Sequence, residues 1–422
     1  MRWGRLIIGG MAAACLGRPL AAAELAVSPG GGKLARAVAA ARPGDSLRLA
    51  PGLYDGPVVV DRPLSIEGRP GVVVDGGGHG TVIRITARGV AIRGLTVRNS
   101  GIRQEDIDSG IFADKGGDDA VIEDNRLENN EFGISLRGAA GAVARHNVIL
   151  GRQDLRVNER GDGISVWNAT GARVEDNDVR FGRDGIRSTS SHDNVFSGNR
   201  FHELRFAVHY MWTDGGTVSG NLSEGNEVGF AMMFSRHLTI ANNVSRRDRD
   251  HGLLLNFVND ARIEGNVLSD GGTECGFIYN ANDNVLTRNW FEGCPIGIHF
   301  TAGSERNRFS ENAFVNNQTQ VMYVGTRSLD WATGGRGNYW SDNPAFDLNG
   351  DGIADMPYRP NDIVDRIVWT VPLAKVLLNS PALQVVRWAQ AEFPAVTPGG
   401  IIDSAPLMQP PPRPALATET AP

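Results

Sequence analysis

An asparagine recurs along most of the chain at a nearly constant interval. It is the third residue of pentapeptides such as "EDNRL", "SGNRF" and "EGNVL", and the successive steps are 22, 30, 22, 22, 22, 23, 23 and 23 residues. The members of this series are Asn125, Asn147, Asn177, Asn199, Asn221, Asn243, Asn266, Asn289 and Asn312. A second column of apolar segments, including "GISLR", "GISVW", "GFAMM" and "GLLLN", follows in step with the asparagines. A sustained period of this length is the signature of a repeat architecture.

The length and composition of the repeat predict the class of fold. Each unit of 22 or 23 residues contains several short strands with alternating apolar residues, bounded by Gly, Asn and Asp. No unit has an apolar face that it could bury alone, so neighbouring units must stack. Asparagine tolerates the left-handed backbone of a tight corner, and stacked amides can hydrogen-bond from rung to rung. We therefore predict an all-β, single-stranded parallel β-helix solenoid of about ten or more rungs, since a β-propeller has a longer repeat of about 40 residues.

The regions outside the repeats predict how the solenoid begins and ends. The β-helix with an N-terminal helical cap is assigned to 24–325, and its single 30-residue step predicts a charged loop at 150–163. A closing segment with an Asp-rich turn (326–370), a C-terminal helical region (371–408) and a disordered, Pro-rich tail (409–422) follow. The apolar helical face of the cap comprises Leu34, Ala37, Val38 and Ala41.

The first residues (1–23) are typical of a secretory signal peptide. Arg2 and Arg5 precede an apolar run over 6–16, and alanines follow before the expected cleavage site. Cys15 is an alternative lipoprotein acceptor, but no Leu stands three residues before it. Cleavage removes three arginines and no acid, so the net charge changes from −6 to −9, which argues against nucleic acid and anionic membranes as partners. No later segment contains the uninterrupted run of about 18 apolar residues that a membrane span needs. We therefore expect a soluble, exported mature protein.

Two cysteines remain after cleavage. Cys275 and Cys294 fall in consecutive repeats. An exported protein meets an oxidising environment, in which a disulfide can persist. The spacing allows a cross-rung disulfide and is equally compatible with two free thiols.

An Asp-rich stretch of the closing segment has the spacing of a calcium loop. Asp347, Asn349, Asp351 and Asp355 follow the pattern D-x-N-x-D-G-x-x-D, which provides oxygen ligands at alternate positions. Tyr358 occupies the twelfth position, where an EF-hand has Glu. The stretch therefore predicts a Ca²⁺ site or, alternatively, a plain turn rich in Asp and Asn.

Strand alternation divides the side chains of the second column, including those of His and Met, between the core and the surface. In this register Met232, Phe277 and Tyr279 point into the core, whereas Ile278 and Asn280 point outward. The same alternation places a set of His and Met side chains on one outward face, namely His209, Met211, Met233, His299 and Met322. Copper, especially Cu(I), prefers imidazole and thioether ligands. The alternative is that these residues line a surface that a partner protein covers.

β-Helices are common scaffolds for polysaccharide-active enzymes, and three segments offer catalytic groups. They are "GGGHG" (76–80), the pair Asp118 and Asp119, and "RDRDHG" (246–251). His79 precedes the regular stack, acids in turns are solvated by default, and a glycosidase needs two carboxylates flanking one bond. We therefore predict that the protein is not an enzyme. An exported polysaccharide lyase, hydrolase or epimerase is the alternative.

The repeats and the C-terminal third resemble known families. The repeats are similar to the carbohydrate-binding and sugar-hydrolase (CASH-type) β-helix. The segments "GNYWSDNPAFDLNGDGIADMPYRP", "LLNSPALQVVRWAQAEFPAV" and "IIDSAPLM" resemble the NosD family, the periplasmic maturation factors of nitrous-oxide reductase. This resemblance covers nearly the whole mature chain and implies a non-catalytic protein. It would work with an ABC transporter, made of a membrane subunit and a cytoplasmic ATPase, to assemble the copper–sulfur centre of the reductase.

On the basis of this resemblance we add a hypothesis of how the partners meet. A membrane-anchored copper chaperone would deliver copper or another cargo to the β-helix, which would present the nitrous-oxide reductase apoprotein. The C-terminal helical region would dock on the membrane subunit of the transporter, after a helix start at Ser380 and Pro381. The expected docking residues are Leu377, Leu383, Val386, Trp388 and Phe393. Copper is then a transient cargo, and the protein associates with the membrane only through the transporter.

Overall fold

The repeats form three parallel β-sheets that wind around a common core. The computed structural model describes residues 22–323, 325, 327–361, 363–377, 380–392 and 399–414. Two sheets have 13 strands and the third has 12, and each regular turn of the chain contributes one strand to each sheet. Neighbouring strands in a sheet pair in parallel with residues one repeat away. The predicted single-stranded parallel β-helix of about ten or more rungs is therefore confirmed.

Most strands have three to six residues. Sheet 1 comprises Glu24–Val27, Ser46–Leu49, Ser65–Glu67, Ala91–Arg93, Val121–Glu123, Val143–Arg145, Arg173–Glu175, Val195–Ser197, Thr217–Ser219, Thr239–Ala241, Arg262–Glu264, Val285–Thr287 and Arg308–Ser310. Sheet 2 comprises Gly52–Asp55, Val72–Asp75, Thr96–Arg98, Arg126–Glu128, Val148–Leu150, Asp178–Arg180, Arg200–His202, Leu222–Glu224, Val244–Arg246, Val267–Ser269, Trp290–Glu292, Ala313–Val315 and Tyr339–Trp340. Sheet 3 comprises Val58–Val60, Ile83–Ile85, Ser109–Ala113, Phe132–Arg137, Ile164–Trp167, Asp184–Thr189, Phe206–Met211, Val228–Arg236, His251–Asn259, Glu274–Tyr279, Ile296–Phe300 and Thr319–Tyr323. The helices are α1 (Lys33–Ala40), α2 (Ile363–Thr370) and α3 (Pro381–Glu392), with 3₁₀ segments at Val157–Glu159 and Pro372–Leu377.

The recurring asparagines form a continuous ladder inside one corner of the solenoid. Asn221 is fully buried, and its Nδ2 donates to Oδ1 of Asn243 and to the carbonyl of Phe196, both at 2.9 Å. Its Oδ1 accepts from Nδ2 and from the backbone N–H of Asn199, at 2.9 and 3.0 Å. The arrangement repeats along the series, and Asn338 extends it after a step of 26 residues. The predicted rung-to-rung hydrogen bonds are present, and they satisfy polar groups that would otherwise be buried without partners.

The left-handed corner residue is not the ladder asparagine, and this part of the interpretation was wrong. Positive φ angles occur at the preceding position, as at His146 (53°), Asp176 (53°) and Asn242 (54°). The ladder residue follows the turn and points its amide into the corner. Its buried hydrogen bonds, rather than its backbone angle, therefore require asparagine at this position.

Helix α1 covers the N-terminal end of the core. Leu34, Val38 and Ala41 are buried in the main core, and Ala37 packs against it. These are the residues that the apolar helical pattern selected. A helix at this position protects a sheet end that would otherwise present unpaired edges.

Aromatic rings and one buried carboxylate close the C-terminal end of the core. Trp331 stacks on Phe309 with 3.9 Å between ring centroids, and Trp340 lies 6.2 Å from Trp331. Asp403 is fully buried, and its Oδ2 accepts from Nε1 of Trp340 at 2.8 Å and from the backbone N–H of Asn338 at 2.6 Å. This carboxylate therefore joins the end of the chain to the last ladder asparagine.

The end of the chain differs from the predicted helical region 371–408. Beyond α3, Ile401–Ile402 forms a strand that pairs in parallel with Leu329–Asp330. Ile401 and Leu407 are buried. The segment is extended because it covers the last rung of the solenoid, about 70 residues away in sequence.

The first residues of the Pro-rich tail lie against the solenoid, in the region predicted to be disordered. Arg413 forms an ion pair with Glu292 at 3.0 Å, and its guanidinium lies 5.6 Å from the centroid of the Trp290 ring. The remainder of the tail (415–422) and most of the predicted signal peptide (1–21) lie outside the described residues.

Cys275 and Cys294 are joined by a disulfide between neighbouring rungs. Their Cα atoms are 5.7 Å apart, and both residues are buried in the main core. Of the two arrangements that the spacing allowed, the structure contains the cross-rung disulfide. The cross-link restricts the unfolded chain and thereby favours the folded state.

Candidate metal-binding strip

The outward faces of the sheet 3 strands present two columns of aligned side chains. One column is Arg187, His209, Ala231, Leu254, Phe277, His299 and Met322. The other column is Thr189, Met211, Met233, Asn256 and Tyr279. We call these two columns the outward strip. All five residues predicted to bind copper lie on it.

The prediction was wrong in register for the rung that contains Phe277. Ile278 is buried in the core beside Leu255, whereas Phe277 faces outward beside Leu254 and Tyr279 is exposed. The glycine of this strand aligns with a core leucine of the preceding strand, although other rungs place the glycine one residue before the core position. A shift of one residue turns every side chain of a strand to the other face.

His209 is held by a buried carboxylate. Its Nδ1 lies 2.9 Å from Oδ2 of Asp184, which also accepts hydrogen bonds from Arg205 at 2.8 and 2.9 Å. Because a carboxylate only accepts, Nδ1 carries the proton in the neutral imidazole and Nε2 keeps its lone pair. His209 is only 7% exposed, and its Nε2 has no hydrogen-bond partner among the described residues. Histidines that bind metals usually have this arrangement, with one ring nitrogen on a carboxylate and the other free.

Two methionines lie beside His209 on the outward strip. Met211 follows His209 by two residues on the same strand, so both side chains face outward. Met211 is aligned with Met233 on the next rung, and both are partly exposed. Met232 is fully buried in the core, as predicted from the alternation. One imidazole and two thioethers therefore share one region of the strip.

A second group of polar side chains lies further along sheet 3, partly on the strip and partly in the column beside it. Glu274 is almost fully buried, and its Oε1 lies 2.9 Å from Nδ1 of His299, while its Oε2 lies 3.3 Å from Nδ1 of His251. Burial alone would raise the pKa of Glu274, but its contacts with His251 and His299 hold that pKa below its usual value. Met322 is aligned with His299 on the following rung. The ring of Phe277 lies 5.4 Å from that of His251 and 4.8 Å from that of His299.

The five predicted copper residues do not form one site. His209 and His299 are four rungs apart in one column, which is about 19 Å at a rung spacing of about 4.8 Å. The strip therefore holds a first cluster, consisting of His209, Met211 and Met233. A second cluster combines His299 and Met322 of the strip with His251 and Glu274, which lie in an adjoining column of sheet 3.

The carboxylates of the two clusters were missed in the sequence. Asp184 and Glu274 each lie 25 residues before the histidine that they contact, which is one repeat plus three residues. This shared offset is a signal that could have found both of them. His251, the histidine of the segment "RDRDHG", is largely buried and opens a strand.

The predicted calcium ligands use their oxygen atoms within their own turn. Asp347 accepts from the backbone N–H groups of two glycines at 2.7 and 2.8 Å, and Asn349, Asp351 and Asp355 each accept from one backbone N–H at 2.9 Å. These contacts are those of an Asx-rich turn. The calcium site stays a prediction without further support.

Among the described residues, one group of three His, Cys, Asp or Glu has ligand atoms within 4.8 Å of one another. It consists of Glu123, Asp124 and His146, at a solenoid corner away from the strip. Glu123 is already paired with Arg93 at 3.1 Å and with Arg145 at 2.8 Å. The group is therefore a surface charge network rather than a free ligand set.

The predicted docking residues belong to an exposed apolar surface on the C-terminal helices. Leu377 is 55% and Trp388 is 62% exposed, while Leu383 and Val386 are partly exposed. Phe393 lies outside the described residues. Large exposed apolar patches usually mark contacts with proteins or membranes. In the described part of the chain, no helix combines the length and apolar character needed to span a bilayer.

The acids that come nearest to a catalytic pair are closed to solvent. Asp162 and Asp184 lie on neighbouring rungs with fully buried side chains, and Arg183 and Arg205 contact them at 3.0 and 2.8 Å. Burial and the nearby charge of Asp184 raise the pKa of Asp162 to about 6. Because a glycan could not reach either carboxylate, this pair does not provide the flanking acids of a glycosidase.

Comparison with known sequences identifies relatives over most of the chain. A family model described as "Periplasmic copper-binding protein (NosD)" matches residues 145–345. A Stutzerimonas stutzeri protein named "Probable ABC transporter binding protein NosD" is 38% identical in an alignment of 389 positions that covers 89% of this chain and 89% of that protein. A Pseudomonas aeruginosa protein of the same name is 39% identical in an alignment of 382 positions that covers 87% of this chain and 89% of that protein.

Two solved enzyme structures have a similar fold at low sequence identity. A family 28 exopolygalacturonase of Yersinia enterocolitica superposes with a TM-score of 0.60 at 11% identity, covering 71% of this chain and 77% of that enzyme. The catalytic unit of a GH87 α-1,3-glucanase of Streptomyces thermodiastaticus gives 0.55 at 14% identity, covering 78% and 69%. At such identities the likeness concerns the fold alone.

Proposed function

Because the chain belongs to the NosD family, we propose that it is a periplasmic accessory protein of an ABC transporter. In this role it holds copper on the way to the copper–sulfur centre of nitrous-oxide reductase. The names of the relatives support the association with a transporter, and the description of the family supports copper and the periplasm. No residue of the chain forms or breaks a covalent bond in this role.

The observation that carries the proposal is the unsatisfied nitrogen of His209. Its Nε2 is buried without a hydrogen-bond partner among the described residues, while Asp184 fixes the opposite nitrogen. Met211 and Met233 provide thioethers beside it. A nitrogen and two sulfur atoms suit Cu(I), which soft ligands select. The two methionines are partly exposed, which favours uptake of the ion from one protein and its release to another.

The partners are assigned to different surfaces of the chain. The outward strip receives copper from a membrane-anchored chaperone and presents it to the reductase apoprotein. The exposed apolar helices dock on the membrane subunit of the transporter, whose ATPase acts from the cytoplasm. Motion that begins at the docked helices would change what the rigid solenoid holds or releases.

The copper role predicts that the thioethers of the strip are required for loading of the reductase. Replacing Met211, Met233 and Met322 with Leu keeps apolar volume but removes sulfur. We expect the copper content of the copper–sulfur centre to fall at least about tenfold, since soft ligands dominate Cu(I) affinity. The measurement is metal analysis of the reductase purified from cells that export the variant at the wild-type level. Met356→Leu, an exposed methionine away from the strip, is the matched control, and normal loading in the triple variant would show that the copper role is wrong.

The docking role predicts a separate defect. Trp388→Glu places a charge on an exposed apolar residue, so it should leave the fold intact and abolish copurification with the transporter membrane subunit. Central aromatic residues contribute much of the binding energy at interfaces, about 2 kcal/mol or more each. Phe346→Glu is the control, because Phe346 is also exposed but belongs to the closing segment. Equal recovery of the transporter with both variants would remove α3 from the interface.

A further inference from the structure

A row of exposed aromatic side chains runs along the solenoid at the edge of sheet 3. Trp212, Phe234 and Phe257 occupy the same position on three consecutive rungs. Their ring centroids lie 5.6 and 5.3 Å apart, with interplanar angles of 20° and 13°. Tyr279, on the following rung, meets the ring of Phe257 edge-on at 5.8 Å. We call these four residues the aromatic ridge, and each of them is 40–55% exposed.

The backbone of the ridge is unusual for large side chains. Trp212, Phe234 and Phe257 have φ angles of 48°, 50° and 53°, in the left-handed region that bulky residues seldom adopt. The equivalent positions on the flanking rungs are Ser190 and Asn280, which hold the same conformation with small polar side chains. The fold therefore does not require aromatic rings at this corner. Because the rings stay exposed, their burial does not offset the strain, which indicates that they serve a contact outside the chain.

The first ring of the ridge has one free face. Phe234 stacks on one face of Trp212. On the other side the preceding rung offers only Ser190 at the equivalent position, which is too small to cover an indole. Because the rings stack along the solenoid axis, the remaining rings of the ridge present their edges to the outside.

The other tryptophans on the outer surface of the solenoid each carry an arginine. The guanidinium of Arg137 lies 4.4 Å from the ring centroid of Trp167, and that of Arg413 lies 5.6 Å from the ring centroid of Trp290. Among the described residues, no cation lies over the ring of Trp212. Its free face is therefore an unused site for a cation–π contact.

The charged groups beside the ridge favour a basic occupant. Asp193, Asp214 and Asp260 lie at the corner that follows the ridge, and in the described part of the chain none of them forms an ion pair. The exposed Arg236 offsets only one of the three carboxylates. The whole chain is also acidic, with a net charge of −6. A positively charged group is therefore attracted to this edge of the solenoid.

We propose that the aromatic ridge is a docking site for an arginine-bearing, apolar segment of a partner protein. The arginine stacks on the free face of Trp212 and donates to the carboxylate of Asp214. The Cα atoms of these two residues are at most about 7 Å apart, because only one residue separates them. Arginine suits the site better than lysine, since its planar guanidinium stacks on a ring and donates hydrogen bonds at the same time. Apolar side chains of the segment lie on the outward ring edges.

The size of the ridge indicates a transient contact. It spans three rung steps, which is about 14 Å at about 4.8 Å a step. A stable interface buries about 800 Å² on each partner, and a row of this length with its neighbouring methionines offers roughly a few hundred Å². A permanent second copy of this chain would need a larger surface. The ridge therefore suits a segment that binds and leaves, and this inference does not depend on copper binding by the strip.

Two labelled peptides test the proposal. Each has about nine residues, enough to cover the ridge in extended form, and contains leucines, serines and one arginine near its end. In the second peptide citrulline, a neutral isostere, replaces the arginine. Fluorescence anisotropy measures the affinity of both peptides for the full exported chain, without added metal.

The variants change the ring or the carboxylate separately. Trp212→Asn introduces the side chain that Asn280 has at the equivalent position. Asp214→Asn keeps an oxygen for the hydrogen bond that Asp214 accepts from the backbone N–H of Arg236 at 2.9 Å. Phe346→Asn is the matched control, because Phe346 is an aromatic residue of similar exposure in the closing segment.

We expect the wild type and the control to bind the arginine peptide at least about tenfold more tightly than the citrulline peptide. Trp212→Asn should weaken the arginine peptide at least about tenfold, and Asp214→Asn should remove most of the preference for arginine. Trp212→Asn should also melt at or above the wild-type temperature, because asparagine adopts the left-handed conformation with less strain. A residue needed only for packing would lower that temperature.

The proposal is overturned if the wild type does not bind the arginine peptide, if it binds both peptides equally, or if a folded Trp212→Asn binds like the wild type. If Trp212→Asn melts far below the wild type, the ring has a structural role. Asp214→Asn then decides, and an unchanged preference for arginine in that variant overturns the proposal.

Two other occupants have their own results. A wild-type dimer in sedimentation velocity that Trp212→Asn abolishes would assign the ridge to a second copy of the chain. Binding to phosphatidylglycerol vesicles that the same variant abolishes would assign it to a membrane surface. Either result would overturn the proposal. Because none of these measurements involves metal, they leave the outcome of the copper-loading experiment separate.

Discussion

Replacing Asp184 with alanine is expected to destabilise the protein by about 3–5 kcal/mol, because it removes one partner from a buried charge network. The carboxylate is fully buried and accepts two hydrogen bonds from Arg205 and one from His209. Without it, a largely buried guanidinium and a buried imidazole lose their partner. The measurement is the free energy of unfolding from urea denaturation of the variant and the wild type.

A surface pair provides the matched control for Asp184. Asp178 pairs with Arg180 at 2.6 Å on the neighbouring sheet, where both side chains are partly exposed, so Asp178→Ala should cost less than about 1 kcal/mol. Similar losses from both variants would contradict the view that burial gives Asp184 its effect.

The milder Asp184→Asn keeps the size of the side chain and should weaken Cu(I) binding by about 10–100-fold, as expected when the carboxylate behind a metal-binding histidine is removed.

The same residue predicts part of the pH dependence of stability. Burial alone would raise the pKa of Asp184, but hydrogen bonds from His209 and Arg205 hold it below the usual value of 3.8. A depressed carboxyl pKa stabilises the folded state above the unfolded value, and this contribution is lost as the pH falls through the folded value. Acid titration of the wild type should therefore show a loss below about pH 4 that is absent from Asp184→Asn.

Replacing Asn221 with alanine should also be severe, with a cost of about 3–6 kcal/mol if two of its buried partners are left unsatisfied. The amide makes four hydrogen bonds with Asn199, Asn243 and the carbonyl of Phe196. A methyl group can replace none of them. Urea denaturation followed by circular dichroism would measure the loss.

A variant of the adjacent asparagine tests whether the loss of stability is specific to asparagines of the ladder. Asn242 is exposed and has a φ of 54°, a conformation that glycine adopts without strain. Asn242→Gly should therefore change stability by less than about 1 kcal/mol. If Asn221→Ala destabilised the protein equally little, the hydrogen bonds of the ladder would not contribute to the stability of the solenoid.

The repeat revealed the fold because its period is a local property that can be counted along the chain. The ladder, the cap at Leu34 and Val38, and the outward positions of Met211 and Met233 all follow from that count and from alternation. Phe277 was misplaced because one glycine takes a core position in its strand. When two neighbouring residues are both apolar, the sequence pattern does not reveal which of the two side chains points into the core.

The remaining features depend on contacts between rungs or between distant segments. Asp184 contacts a histidine on the next rung, and the strand at Ile401 pairs with a segment more than 70 residues earlier. Asn338 belongs to the ladder but follows a step of 26 residues, so the regular count ends before reaching it. Such contacts are set by how the chain folds back on itself, and propensity at single positions does not reveal them.

The polarity of the ladder has a consequence for how this molecule can vary. In each link between two amides, Nδ2 donates to Oδ1 of the next asparagine toward the C-terminus, from Asn125 at one end to Asn338, which donates to Asp403 at the other. A complete turn can therefore be inserted or deleted without reversing any link, whereas a fraction of a turn breaks the series. Neighbouring turns of the solenoid are separated by a constant spacing of about 4.8 Å. Along the solenoid axis, the distance between two groups on the surface, including that between the two histidine clusters, can therefore change only by whole multiples of this spacing.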